Sequence, residues 1–195
     1  GTMVDTLGDF TEALGRMLAE LDLPAIGAGS IGKMVGKGSE HLLKSVLNHV
    51  LWLNGQAIDA TEMEALYTRA WPAYQRHYQA INGQYAQIYP GVRKGLESLV
   101  GAGLRLACVT NKPTAFAEAL LVGTGLRALF VQVSGGDAFE AKKPDPLPLL
   151  RTCDALGVQP ARTLMIGDSA NDAQAARAAG CPVLLVTYGY NHGRP

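Results

Sequence analysis

Met165-Ile166-Gly167-Asp168-Ser169-Ala170-Asn171-Asp172 is the stretch on which the fold turns. The apolar run over 163–166 reads as a buried strand. Ser169 or Asn171 can cap a helix that follows at once, and Asp172 complements the dipole of that helix. A strand running straight into a helix is half of a βαβ unit. It leaves two carboxylates, Asp168 and Asp172, four residues apart at one strand end.

The same pattern recurs outward from that stretch. After Tyr89-Pro90-Gly91, short β-rich runs over 104–109, 129–133, 163–166 and 183–187 alternate with helical segments over about 92–100, 114–124, 146–156 and 171–179. Such alternation predicts an α/β fold with a Rossmann-like parallel sheet, in which ligands collect at the carboxyl ends of the strands. Thr110, Lys143 and Asp168 all fall at such ends or in the loops that follow them. Upstream the texture differs: from Asp5 to about Ile81 the apolar spacing is helical throughout. Leu7, Phe10, Leu14, Met17 or Leu18, and Leu21 recur at three- and four-residue steps, as do Leu42 or Leu43, Val46 or Leu47, and Val50 or Leu51. Thr61 and Glu64 have capping-box spacing ahead of a third helix, whose Tyr67, Trp71, Tyr74 and Tyr78 mark one aromatic-lined face. Between the first two helices, residues 27–38 read as a glycine-rich loop able to face a ligand. The helical block therefore reads as an insertion into the α/β core.

A chain of 195 residues can hold one medium domain, or a core with a smaller insertion. Its 17 Lys and Arg balance 17 Asp and Glu, so there is no basic field for nucleic acid and no polybasic membrane address. The apolar runs are too short to span a bilayer and no signal segment opens the chain, so a soluble, cytoplasmic protein is expected. Cys108, Cys153 and Cys181 lack metal-type spacing and read as buried reduced thiols. His41, His49 and His77 lie within helical patterns and read as surface or satisfied residues.

Three further segments stand in order around the first: Gly1-Thr2-Met3-Val4-Asp5-Thr6, Val109-Thr110-Asn111-Lys112-Pro113 and Lys142-Lys143-Pro144-Asp145-Pro146. Thr110 ends an apolar strand, where its hydroxyl and the next backbone N–H groups can donate to a phosphoryl oxygen without adding charge. Of two adjacent lysines, one normally faces solvent.

Together these segments resemble the haloacid dehalogenase superfamily and, within it, the phosphoglycolate phosphatases. The resemblance implies a capped phosphatase, with 1–7 and 86–195 as the α/β core and 8–85 as a helical cap of the C1 group. It also implies 2-phosphoglycolate hydrolysis through an aspartyl-phosphate. The family signature Asp-x-Asp-Gly-Thr aligns its last two positions with Gly1 and Thr2. Its nucleophile and acid/base aspartates are then expected upstream of Gly1, and the 195-residue chain as written is expected to be inactive. A further strand and helix are expected beyond Pro195. Thr2, Thr110 and Asn111 take phosphate-binding roles, with Thr110, Asn111 and Lys143 as the catalytic set. The spacing of Lys143 to Pro144 and Pro146 picks it over Lys142 to hold the nucleophile and the phosphoryl group together, a task that suits a compact ammonium.

With the upstream acids, Asp168 and Asp172 suit Mg2+, which keeps waters and takes few protein carboxylates. Asp168 is expected as direct ligand, while Asp172 either binds through water or fixes Lys143. In the cap, Gly36 and Lys37 are expected to meet the carboxylate end of the substrate. The segment from Thr187 to Gly193, which contains His192, resembles the one that follows the last core strand in this family. The expected partner is a small phosphorylated metabolite of carbohydrate metabolism, with no nucleic acid and no membrane, for a monomer or homodimer. Two alternatives are a phosphatase or phosphomutase for another small phosphate such as a sugar phosphate, and a non-catalytic phospho-ligand binding module.

Overall fold

Internal contacts divide the chain at two points, giving one unit of Thr6–Ala86 and another of Gly1–Asp5 with the chain from Gln87 onward. The computed structural model describes residues 1–55 and 58–191, so His192 and Gly193 lie outside the described residues.

The first element is a short strand, β1 (Val4–Asp5). The helical unit follows with α1 (Leu7–Glu20), α2 (Ala28–Gly32), α3 (Ser39–Leu53) and α4 (Ala60–Ile81). Three departures from the sequence pattern appear here. Asp5 is strand rather than helix, because it pairs with Gln87. The loop expected over 27–38 contains the helical turn α2, which buries Ile31. The capping box of α4 is Asp59 with Glu62 rather than Thr61 with Glu64: the Asp59 carboxylate accepts from the backbone N–H groups of Thr61 and Glu62, both at 2.8 Å. Aspartate in extended backbone competes better for these free N–H groups than a threonine already inside the helix.

The unit's core is the predicted apolar stripe. Leu14, Met17, Leu18, Leu43, Val46 and Leu47 are fully buried, each worth about 1.5–3 kcal/mol relative to exposure. On α4, ring centroids step from Tyr67 to Trp71 (5.8 Å), to Tyr74 (6.2 Å) and to Tyr78 (5.7 Å). One acid is buried among these groups. Asp9, in the first turn of α1, accepts from the backbone N–H groups of Gly83 and Tyr85, both at 2.8 Å, which ties the start of the unit to its end. A Cβ on Gly8 would lie 2.7 Å from the Tyr85 carbonyl oxygen, so only glycine allows that approach.

The α/β unit resumes with β2 (Gln87–Ile88), antiparallel to β1 in the register Val4 to Ile88 and Asp5 to Gln87. Then come α5 (Val92–Gly101), β3 (Ala107–Val109), α6 (Thr114–Gly123), β4 (Gln132–Ser134), α7 (Leu147–Leu156), β5 (Met165–Gly167), α8 (Ala170–Ala179) and β6 (Val183–Leu185). Strands β3 and β4 pair in parallel, as do β5 and β6, each pair joined through one helix. This is the expected α/β class.

All four core strands are shorter than their apolar runs, for local reasons. Residues 102–104 close α5: Gly103 takes φ 80° and the Leu104 N–H donates to the Leu99 carbonyl. Arg127–Leu129 is a single 3-10 turn that takes Leu129, the start of the second run, while Pro160–Arg162 is another that ends just before the third, whose strand begins only at Met165. The fourth run is strand only over Val183–Leu185, and the Val186 N–H adds one more ladder bond, to the Gly167 carbonyl at 2.9 Å. Nor is β5 wholly buried as expected. Ile166 is 41% exposed, and Leu184 on the paired strand β6 is 50% exposed. On the covered side Leu149, Cys153, Ala175, Ala176, Ala179 and Cys181 form a core against Val109, Met165 and Val183. The three cysteines are free and buried. No helix among the described residues is long and apolar enough to cross a membrane.

Candidate active site

The end of β3 is held by the end of β4. Thr110 extends the ladder by donating its N–H to the Ser134 carbonyl at 3.0 Å, and its hydroxyl accepts from the Lys112 N–H at 3.2 Å. With the oxygen serving as acceptor, the hydroxyl proton stays available to a ligand. The loop after β4 then folds down on this segment. Gly136 donates to the Lys112 carbonyl at 2.9 Å and Gly135 donates to the Thr114 hydroxyl at 3.2 Å. A Cβ on Gly136 would lie 2.5 Å from the Asn111 carbonyl oxygen, and one on Gly135 would strike the Thr114 backbone. Asp137 completes the clamp, accepting from both the N–H (2.7 Å) and the hydroxyl (2.5 Å) of Thr114. Those hydrogen bonds hold the Asp137 carboxyl below the usual carboxylate range. Asp137 thus caps α6 from outside the helix, a role not singled out in the sequence. The available signal was Gly-Gly-Asp directly after a strand.

Lys143 is buried, whereas its neighbour Lys142 is exposed. The Lys143 ammonium donates to the Val109 carbonyl and to Asp172 Oδ1, both at 2.7 Å. Two of its three donors are committed, which leaves one for a ligand. Asn111 donates its amide N–H to the Lys143 carbonyl at 2.8 Å, while its side-chain oxygen is buried without a partner. The neighbouring Cys108 thiol is pushed up to about 11 by burial, against the pull of the Lys143 ammonium, and stays neutral.

Asp172 divides its two oxygens. Oδ1 accepts from Lys143, and Oδ2 accepts from the N–H groups of Asp168 and Ser169 at 3.1 Å and from the Ser169 hydroxyl at 2.9 Å. Burial alone raises the Asp172 carboxyl, but the Lys143 charge and these donors outweigh it and hold the pKa below the ordinary value. Of the two roles weighed for Asp172, these contacts match the fixing of Lys143.

Asp168, one position beyond β5, is partly buried. Its Oδ1 accepts from the Thr2 hydroxyl at 2.6 Å and its Oδ2 from the Tyr190 N–H at 2.7 Å. A carboxylate has about four lone-pair sites, so Asp168 keeps acceptor capacity while both Asp172 oxygens are taken. Among the described residues no three His, Cys, Asp or Glu side chains gather as a metal cage. A single open carboxylate is a donor set that fits Mg2+, which is completed by waters and phosphate oxygens rather than by protein.

Thr2, Thr110, Asn111, Lys143, Asp168 and Asp172 therefore belong to the α/β unit, and a hydrogen-bonded chain runs from Asn111 through Lys143 and Asp172 to Asp168 and Thr2. Gly36 and Lys37 belong to the helical unit, where Gly36 takes φ 124° and Lys37 is exposed. A buried ammonium, hydroxyl and amide groups, and one open carboxylate at strand ends can bind and polarise a small dianionic group.

Known proteins share this arrangement of sequence and fold. A family model described as haloacid dehalogenase-like hydrolase matches residues 1–186. The phosphoglycolate phosphatase of Thiobacillus denitrificans is 44% identical over 195 residues, 100% of this chain and 83% of that protein. That of Nitrosospira multiformis is 44% identical over 194 residues, 100% of this chain and 82% of its own. Among solved structures, a predicted phosphoglycolate phosphatase from Haemophilus somnus superposes with a TM-score of 0.92 at 30% identity, covering 100% of this chain and 85% of that one.

Proposed function

The chain belongs to the haloacid dehalogenase-like hydrolases, in the phosphoglycolate phosphatase family, and from that membership we propose a Mg2+-dependent phosphoric monoester hydrolase that acts on 2-phosphoglycolate through an aspartyl-phosphate. The observation that carries the reading is the Lys143 ammonium, fixed between the Val109 carbonyl and Asp172 with one donor uncommitted.

In this reading the dianionic phosphoryl group sits at the ends of β3 and β5. Lys143 gives its remaining N–H to a phosphoryl oxygen, and Thr110 gives its hydroxyl proton to another, which concentrates positive potential where charge develops. Asn111 orients the site through the Lys143 carbonyl. The attacking carboxylate belongs to the Asp-x-Asp of the family signature, whose Gly-Thr aligns with Gly1 and Thr2. Its oxygen bonds to phosphorus as the glycolate oxygen leaves with a proton from the second aspartate. Water then cleaves the acyl phosphate to inorganic phosphate and restores the carboxylate. Asp168 is the residue to hold Mg2+, which when bound supplies charge neutralisation for the phosphoryl oxygens. Gly36 and Lys37 are the candidates for the substrate carboxylate.

The test is phosphate release by the full-length gene product from 2-phosphoglycolate and from a panel of sugar phosphates, with Mg2+ present. The expected outcome is preference for 2-phosphoglycolate, with a drop of about a hundredfold or more in Lys143→Ala. Preference for a sugar phosphate would overturn the substrate, and binding without turnover would favour a phospho-ligand module.

A further inference from the structure

The loop after β6 has no part in the steps above, yet it is built onto the site. Residues 187–191 read Thr-Tyr-Gly-Tyr-Asn. At its centre Gly189 takes φ 97°, and a Cβ there would lie 2.6 Å from Asp168 Oδ2 and Cβ. Only glycine lets this backbone come down on the carboxylate. The next residue then donates its N–H to Asp168 Oδ2 at 2.7 Å.

The other contacts of the loop reach elsewhere. The Tyr190 hydroxyl donates to Asp5 Oδ1 at 2.7 Å, and the Tyr188 ring lies 4.5 Å from the ring of Tyr89, centroid to centroid. Asp5 is the last residue of β1, where the chain leaves the α/β unit. Tyr89 follows β2, where it has just returned, and donates its own N–H to the Met3 carbonyl at 3.1 Å. One five-residue loop therefore touches Asp168 and both crossings of the β1/β2 ladder.

We propose that residues 187–191 form a strap tying the β1/β2 ladder to the Asp168 carboxylate, and that Tyr190 is a positioning residue for Asp168. This rests on the phosphatase reading given above. Tyr190 is anchored by its backbone N–H on Asp168 and by its phenol on Asp5. A phenol donating to a carboxylate is a charge-assisted bond, stronger and more directional than a neutral one. It fixes where the residue sits, and hence where its N–H meets Asp168. A loop held by backbone contacts alone would leave that N–H free to shift by tenths of an ångström, enough to mis-set a carboxylate that must meet a metal.

Tyr190→Phe removes the phenol oxygen and keeps the N–H. In the full-length protein it is expected to lower kcat by about tenfold with KM for 2-phosphoglycolate within about twofold. It is also expected to weaken Mg2+ several-fold in a calorimetric titration made without substrate. Asp5→Ala should reproduce both losses, and the double variant should be no worse than either single one. Asp5→Asn, which keeps an oxygen for the phenol, should recover most of what Asp5→Ala loses. Wild-type kcat and Mg2+ affinity in Tyr190→Phe would overturn the proposal, as would losses that multiply in the double variant. If the unmodified protein releases no phosphate from 2-phosphoglycolate, the phosphatase reading fails on its own, and the Mg2+ titration still decides the role of Tyr190.

Discussion

Asp172 shows how much one side chain can organise: it holds a lysine with one oxygen and a helix start with the other. Its folded pKa lies below the unfolded value, so its stabilising contribution is present above the ordinary carboxylate range and is lost as pH falls through the depressed value. Acid titration of stability by denaturant melts should therefore show a loss beginning near the usual aspartate pKa, and Asp172→Asn should flatten that part of the curve. Lys143→Met should cost about 3–5 kcal/mol, because it strands a buried carboxylate; a chemical denaturation curve unchanged from wild type would contradict this. At this scale the sequence is readable where chemistry restricts the choice. The Lys-Pro-x-Pro spacing separates Lys143 from Lys142, whereas Thr110 and Asp168 stand out through the motifs that resemble the family, since a strand-terminal threonine alone is an ordinary turn former. Asp9 is not readable in this way. An aspartate in the first turn of a helix suits the helix dipole in any setting, and only the folded chain shows that it is buried on the Gly83 and Tyr85 N–H groups.

Elements depend on neighbours that are distant in sequence. Helix α6 begins after Pro113 without a cap of its own and takes one from Asp137, 23 residues later. Asp137→Ala should cost about 1 kcal/mol, the usual worth of a helix cap, and should lower kcat more than it raises KM, because Thr110 and Asn111 lie just ahead of the capped turn. Gly136→Ala should be more severe. The Asn111 carbonyl oxygen occupies the space a methyl group needs, and a backbone shift there should cost about 1–3 kcal/mol, read as a lower melting temperature. Periodicity locates α5 to α8 but overstates the parallel strands β3 to β6 and gives no sign of β1 and β2. Apolar residues such as Leu104 serve helix ends as readily as ladders, and the hydrogen bond that decides between them involves partners outside the local pattern.

At the scale of the whole molecule, the change from helical spacing to short β-rich runs near Tyr89-Pro90-Gly91 is plain in the sequence, because the two periods place apolar residues differently. Less plain is how the two crossings are arranged. Val4 pairs with Ile88 and Asp5 with Gln87, antiparallel, and antiparallel neighbours are the one strand arrangement that a two-residue turn can close. Joining Asp5 to Gln87 through Asn-Gly in the full-length protein should therefore give a β-hairpin in place of the helical unit. That shortened protein is expected to melt cooperatively, with a circular dichroism spectrum poorer in helix; an unstructured product would show that the ladder needs its insertion. A pair of strands that can be sealed this way is a docking port: helical cassettes of different length could be plugged in or removed without changing the spacing of the strand ends in the α/β unit.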